Sequence, residues 1–174
     1  AVGFALGLRQ GEALGLPWSA VDLAAPSVTI TRALQRIDGK PRFVEPKHNR
    51  SRRTIPLPET IRQALLRHRA RQEQERQRAG TRWKEHGLVF ASSIGTPLHP
   101  RNVLRHFHET LKMLGIPRHR FHDMRHTAAT LLIAQGVPAR VIMHILGHSQ
   151  ISTTMDIYGH CFPEMAKDAM RVMD

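Results

Sequence analysis

FHDMRHTAATLLIAQGV (121–137) and LGHSQISTTMDIYGH (146–160) decide how this chain is read. The first has helical spacing: Met124, Ala128, Leu131, Leu132 and Gln135 share a face, which places Arg125 at the edge of an apolar stripe. His122 opens that helix and Gly136 ends it. A second helix is expected over 138–146, with Pro138 in its first turn and Gly147 at its end. A left-handed Gly147 would turn the chain and present His148 sideways. A third runs over 151–158, where Ile151, Met155 and Tyr158 fall on one face. The two stretches bring together a guanidinium, two imidazoles and a phenol. Attack on a phosphodiester needs that kind of set: a nucleophile, proton-transfer groups and positive charge for the developing anion.

Each residue also has a plainer reading on its own. Arg125 reads as a surface arginine with its stem laid on the apolar stripe. His148 reads as a histidine at the negative end of a helix dipole. By periodicity alone Tyr158, the single tyrosine, reads as a core aromatic.

Working outward, GLRQGEALGLPWSAVDL (7–23) supplies Arg9 three positions before Glu12, close enough to pair on a helix expected over 4–16 and stopped by Pro17. Val28–Arg36, Arg42–Glu45 and Arg53–Leu57 alternate and carry β-branched residues, which predicts a small three-stranded antiparallel sheet. Asp38-Gly39 is a hairpin signal between the first two. EPKHNRSRRTIPLP (45–58) places Lys47 at the next turn, ahead of Arg50, Arg52 and Arg53, a basic run suited to phosphate contacts. A long helix follows from Pro58-Glu59-Thr60 to about Ala79, with Ile61, Ala64, Leu65 and His68 inside and a mixed-charge, solvated far end. Pro100 starts another, ending near Leu114-Gly115. The fold class is mainly α, an α+β domain with one small sheet.

The chain has 174 residues, enough for one domain with a real core. Its 26 Lys+Arg against 14 Asp+Glu give +12 with neutral His, which favours a polyanionic partner. One cysteine, Cys161, excludes an intramolecular disulfide and a cysteine-based zinc site. No window approaches a membrane span. His122 and His126 have a His-x-x-x-His spacing but lack the glutamate of a zincin helix, so no metal site is assigned.

The ordered set of Arg9 with Glu12, Lys47, His122 with Arg125, His148 and Tyr158 resembles the tyrosine recombinases, the phage-integrase family. The likeness runs over nearly the whole chain. It implies the family's helical catalytic domain and site-specific recombination of double-stranded DNA through a 3′-phosphotyrosyl intermediate. Tyr158 is then the nucleophile and His122 assists removal of its proton. Lys47 protonates the leaving 5′-oxygen, Arg9 and Arg125 clamp the phosphate, His148 binds a non-bridging oxygen, and Glu12 orients the clamp. The resemblance implies no metal, no nucleotide cofactor, a tetramer on two DNA sites, and a cytoplasmic, nucleoid-associated protein of bacterial or phage origin. The chain opens inside a helix-like pattern, so a fragment lacking the family's N-terminal DNA-clamping domain is expected, with 162–174 as a tail exchanged between neighbours. Two other classes stay open: a non-catalytic basic DNA-binding module, and a type IB topoisomerase that nicks and reseals one strand.

Overall fold

The computed structural model describes residues 2–45 and 52–148, together with 150, 152, 155, 159 and 170. Two short helices open it, α1 (Val2–Ala5) and α2 (Gln10–Gly15). Strands β1 (Val21–Asp22) and β2 (Ser27–Ile30) follow, then β3 (Ala33–Ile37), β4 (Lys40–Val44) and β5 (Arg53–Pro56). Four helices follow: α3 (Glu59–Ala79), α4 (Pro100–Met113), α5 (Asp123–Ala134) and α6 (Ala139–Leu146). The class is the expected one, mainly helical with small antiparallel sheets.

The single helix expected over 4–16 is two helices. Gly7 takes a left-handed φ of 56°, and Arg9 is extended (φ −65°, ψ 150°) as the cap before α2. Glu12 closes the cap by accepting the Arg9 backbone N–H at 2.9 Å. The break frees the Gly7 carbonyl, which helix pairing would have consumed.

The sheet also differs in make-up. The run expected as one strand, 28–36, divides at Thr31-Arg32. Its first half, β2, pairs with β1 on one side and β5 on the other, with Val28 opposite Ile55 and Ile30 opposite Arg53. Its second half, β3, leaves that sheet and, among the described residues, pairs with β4. The cause is α2. A Cβ on Gly11 would sit 2.8 Å from the Leu34 carbonyl oxygen, and one on Gly15 would sit 2.7 Å from the Leu34 nitrogen. These two glycines, one helical turn apart, let the β3 backbone lie directly on the helix. Asp38 and Gly39, at φ 51° and 71°, make the left-handed two-residue turn foreseen from the sequence.

The main core lies between the β1-β2-β5 sheet and α3, where Val28, Ile30, Ile55, Ile61 and Leu65 meet Leu6, Leu16 and Val89. On α3, Gln72 is buried, yet it accepts from Trp18 Nε1 at 2.6 Å and donates to the Leu88 and Val89 carbonyls. A smaller core joins α5 and α6 through Ala129, Ile133, Ile142 and Leu146. Here the expected face of α5 is rotated. Arg125, Ala128, Ala129 and Ile133 are inside, and Leu131 is exposed. The small alanines let the turn after α1 approach the helix closely. The helix expected over 151–158 and the tail at 162–174 lie largely outside the described residues.

Candidate functional site

The site is built on the C-terminal end of α6. The last carbonyls of a helix lack partners within it and carry the negative end of its dipole. Gly147, left-handed at φ 66° and ψ 45°, turns the chain there. The His148 N–H donates back to the Met143 carbonyl at 3.1 Å, and the Gly147 N–H reaches Met143 and His144. The next three carbonyls are taken by three guanidinium groups from three other elements. Arg53 Nε donates to Ile145 at 2.7 Å, Arg125 Nη2 donates to Leu146, and Arg9 Nη2 donates to Gly147 at 3.2 Å. Arg125 Nη1 also donates to the Gly7 carbonyl at 2.6 Å, the group freed by the break after α1.

Among the described residues, Glu12 is the one carboxylate of the cluster. Its oxygens accept from Arg9 Nη1 at 2.9 Å, from Arg53 Nη1 at 3.1 Å and from Arg53 Nη2 at 2.9 Å. Burial works to raise its pKa, but the hydrogen bonds and charges of Arg53 and Arg9 prevail and hold it below the ordinary value. One anion therefore faces three guanidinium groups, and the cluster keeps an excess of positive charge. Arg125 is only 3% exposed. Burial, reinforced by Arg9 and Arg53 and opposed by Glu12, pushes its pKa down to about 9, which leaves it a cation at neutral pH. Arg9 is the accessible member, with 44% of its side chain open.

His148 is 8% exposed. Burial and the charges of Arg125 and Arg9 lower its pKa to about 4, so its imidazole is neutral at physiological pH. His122 caps the start of α5 and is exposed. Its pKa is also lowered, by partial burial and then by His126, Arg125, Arg9 and Arg120. The His126 ring meets His122 edge-on at 4.9 Å between centroids. A neutral imidazole near this cluster can accept a proton. Among the described residues, no three His, Cys, Asp or Glu side chains are grouped to hold a metal ion.

Arg9, Glu12, Arg125 and His148 thus converge, with His122 near enough to feel Arg9 and Arg125. Lys47, Arg50 and Tyr158 lie outside the described residues. Arg52 is half exposed and pairs with Glu45. Arg53 departs from its expected place as a DNA contact: its side chain is 0% exposed and bound wholly inside the protein. The signal was in the strand period. Arg53, Ile55 and Leu57 alternate with exposed Thr54 and Pro56, so Arg53 shares the inward face of Ile55. The carbonyls of 145–147 carried no sequence signal.

Among the described residues no helix is long and apolar enough to cross a membrane. The model of the phage integrase family matches residues 2–165. A tyrosine recombinase XerC-like protein of Caldanaerobacter subterraneus subsp. tengcongensis is 34% identical over 98% of this chain and 47% of its own length. The ICEBs1 integrase of Bacillus subtilis is 30% identical over 99% of this chain and 47% of its own. The chain spans about half the length of these curated relatives. In fold it is similar to the Tn1549 transposon integrase, solved in complex with transposon right end DNA, at a TM-score of 0.84 and 24% identity over 99% of this chain and 57% of that one. It is likewise similar to XerA recombinase, at 0.71 and 24% over 96% and 55%. The helical domain, the convergence of Arg9, Glu12, Arg125 and His148 and the match along nearly the whole chain agree: this chain belongs to the phage integrase family.

Proposed function

We propose that this domain is the catalytic part of a tyrosine site-specific recombinase, which cleaves and rejoins double-stranded DNA through a covalent phosphotyrosyl link. The carrying observation is the end of α6, where Arg9, Arg53 and Arg125 are fixed on three successive carbonyls with, among the described residues, a single carboxylate between them. Carbonyl dipoles hold the guanidinium groups in place without cancelling their charge. The result is a preorganised cationic site for a phosphate that gains charge in its transition state.

In this reading Tyr158 attacks the scissile phosphorus in line. His122, neutral and exposed, takes the phenolic proton. Arg9 grips the non-bridging oxygens directly, Arg125 adds positive field from beneath it, and neutral His148 contributes a hydrogen bond. Glu12 orients Arg9. Lys47 gives a proton to the leaving 5′-oxygen. A 3′-phosphotyrosyl bond replaces the broken phosphodiester bond, and a 5′-hydroxyl is freed. Attack by a 5′-hydroxyl of a partner strand reverses the step and releases Tyr158. The exchange conserves one ester bond throughout, so it needs no nucleotide hydrolysis. Strand exchange needs two DNA sites and four protomers, with 162–174 as a tail shared between neighbours. Such work belongs in the cytoplasm, at the nucleoid.

The test uses a nicked duplex that traps the cleaved strand, incubated with the protein in the presence of a chelator. The expected result is a covalent protein–DNA adduct that Tyr158→Phe abolishes. An adduct that survives Tyr158→Phe, or one lost to the chelator, overturns the proposal.

A further inference from the structure

Arg53 is a fully desolvated cation at the start of β5, and stability alone gives no reason for it. Removing two charges from water costs several kcal/mol per ion, and buried pairs can often be replaced by apolar side chains of similar volume without loss. What an ion pair supplies is direction. All three donating nitrogens of Arg53 are committed: Nη1 and Nη2 to the two oxygens of Glu12, and Nε to the Ile145 carbonyl. The forked pair fixes the plane of the Glu12 carboxylate. That carboxylate in turn holds both the backbone N–H and the Nη1 of Arg9. The bond to Ile145 seats the end of α6, whose next two carbonyls receive Arg125 and Arg9 and whose turn carries His148. The packing leaves no slack. A Cβ on Gly147 would lie 2.7 Å from Arg53 Nη1 and 2.9 Å from its Cζ.

We infer that Arg53 is a positioning residue for the phosphate site, acting through Glu12 on Arg9 and through the end of α6 on Arg125 and His148. It touches no DNA itself. The inference rests on the recombinase reading above and adds to it a residue that sits on the inner face of a strand, in a different element from every group it positions.

Arg53→Lys is the decisive variant, because it keeps the charge but loses the fork and cannot satisfy Glu12 and Ile145 together. Displacing a clamp by about 1 Å costs on the order of a hundredfold in rate. The measurement is adduct formation at saturating nicked duplex, alongside the dissociation constant for the same duplex. Arg53→Lys is expected to slow adduct formation about a hundredfold while binding changes less than about threefold, because misplacing a clamp by a fraction of its reach costs the transition state more than the many phosphate contacts of the bound duplex. A second substrate carries a methylphosphonate at the scissile position. It has lost the charge of one non-bridging oxygen and depends less on the guanidinium groups. On it, the defect of Arg53→Lys should shrink to below about tenfold, as should that of Arg9→Lys.

A folded Arg53→Lys protein that cleaves at the wild-type rate overturns the inference. So does an equal defect on both substrates, which marks a general loss of structure, and so does a loss confined to binding, which marks a direct DNA contact. Should Arg53→Lys fail to fold, Arg53→Met, of similar length and apolar, is read against the same outcomes. Failure of the recombinase reading is seen earlier and separately, as a wild-type protein that forms no Tyr158-dependent adduct.

Discussion

His148 should make the stability of this domain depend on pH between 7.5 and 5.5, and the size of the effect follows from where the ring sits. Its pKa falls from 6.5 to about 4 in the folded chain, because burial and the neighbouring guanidinium groups disfavour the imidazolium. Unfolded chains therefore bind the proton first. Above pH 6.5 neither state is protonated and the residue is neutral to stability. As pH drops below 6.5 the unfolded state gains a proton that the folded state refuses, and stability is lost until the folded ring titrates near pH 4. The fall from 6.5 to about 4 sets a ceiling of about 3.4 kcal/mol. At pH 5.5 the linkage gives about 1.4 kcal/mol, against less than about 0.1 kcal/mol at pH 7.5. The assay is urea denaturation of the wild type and of His148→Asn at both values. The variant has an offset of its own at every pH, so the quantity read is the difference in slope. Glu12, with its pKa held below 4.5, titrates beneath the window. His122 has a depressed pKa of the same sign but is present in both proteins, so the comparison removes it. The wild type should lose about 1 kcal/mol more than His148→Asn on going from pH 7.5 to 5.5. Parallel curves, within about 0.3 kcal/mol, would mean that the ring is either solvated or already charged, and the neutral hydrogen-bonding role assigned to it would go.

Three further outcomes follow from the same geometry. Gly147→Ala should cost more stability than Gly136→Ala in thermal melts. Both glycines are left-handed, which costs alanine about 1–2 kcal/mol, but only the Cβ at 147 meets a held guanidinium, while the one at 136 meets nothing within 4 Å. Equal losses would show that Arg53 yields freely. Arg9→Ala should leave the fold within about 1 kcal/mol of wild type, because its side chain is 44% exposed and Glu12 keeps both bonds from Arg53 without it. The same variant should slow adduct formation by about 10²–10³-fold, the usual cost of a lost oxyanion donor; a loss under tenfold would remove Arg9 from the clamp. Arg52→Ala should lower the slope of log K against log salt for duplex binding by about 0.9, one phosphate's worth. An unchanged slope would confine Arg52 to its pair with Glu45.

Helix ends were the most legible part of this sequence, because their signals are local. Pro100 opens α4, Gly115 and Gly147 take left-handed conformations after α4 and α6, and Asp38-Gly39 turns the hairpin. The misread parts each depend on something distant. Nothing in residues 4–16 shows that Gly7 breaks the helix, since the break is stabilised by Arg125, 118 residues on, donating to its carbonyl. Val28, Ile30 and Leu34 share one phase of residues 28–36 with Arg32 between them, and the glycine face of α2 explains why β3 leaves the sheet that β2 belongs to. On α5 the larger residues Leu131 and Leu132 outweighed the alanines in the apolar pattern, yet close approach of the preceding turn selects the alanines for burial. Arg53 was misassigned by the company it keeps in sequence, a basic run, although the alternation of its own strand pointed inward.

Charge explains the choice of partners around the clamp. An arginine can be held rigid by a carboxylate or by carbonyls, and the two are not equivalent for a site that must receive an anion. At about 4 Å and an effective dielectric of 20, each full negative charge interacts with a phosphate by about 4 kcal/mol, so a glutamate for each of Arg9, Arg53 and Arg125 would repel the substrate about as strongly as the arginines attract it. Here one glutamate serves two arginines, and the end of one helix, with the Gly7 carbonyl, supplies the other acceptors. The carbonyls at 145–147 carry only the partial charge of the helix terminus. They fix where the guanidinium groups point, and most of the positive charge is left for the phosphate. The left-handed glycine that ends α6 is part of this arrangement, because a continued helix would have spent those carbonyls on its own next turn.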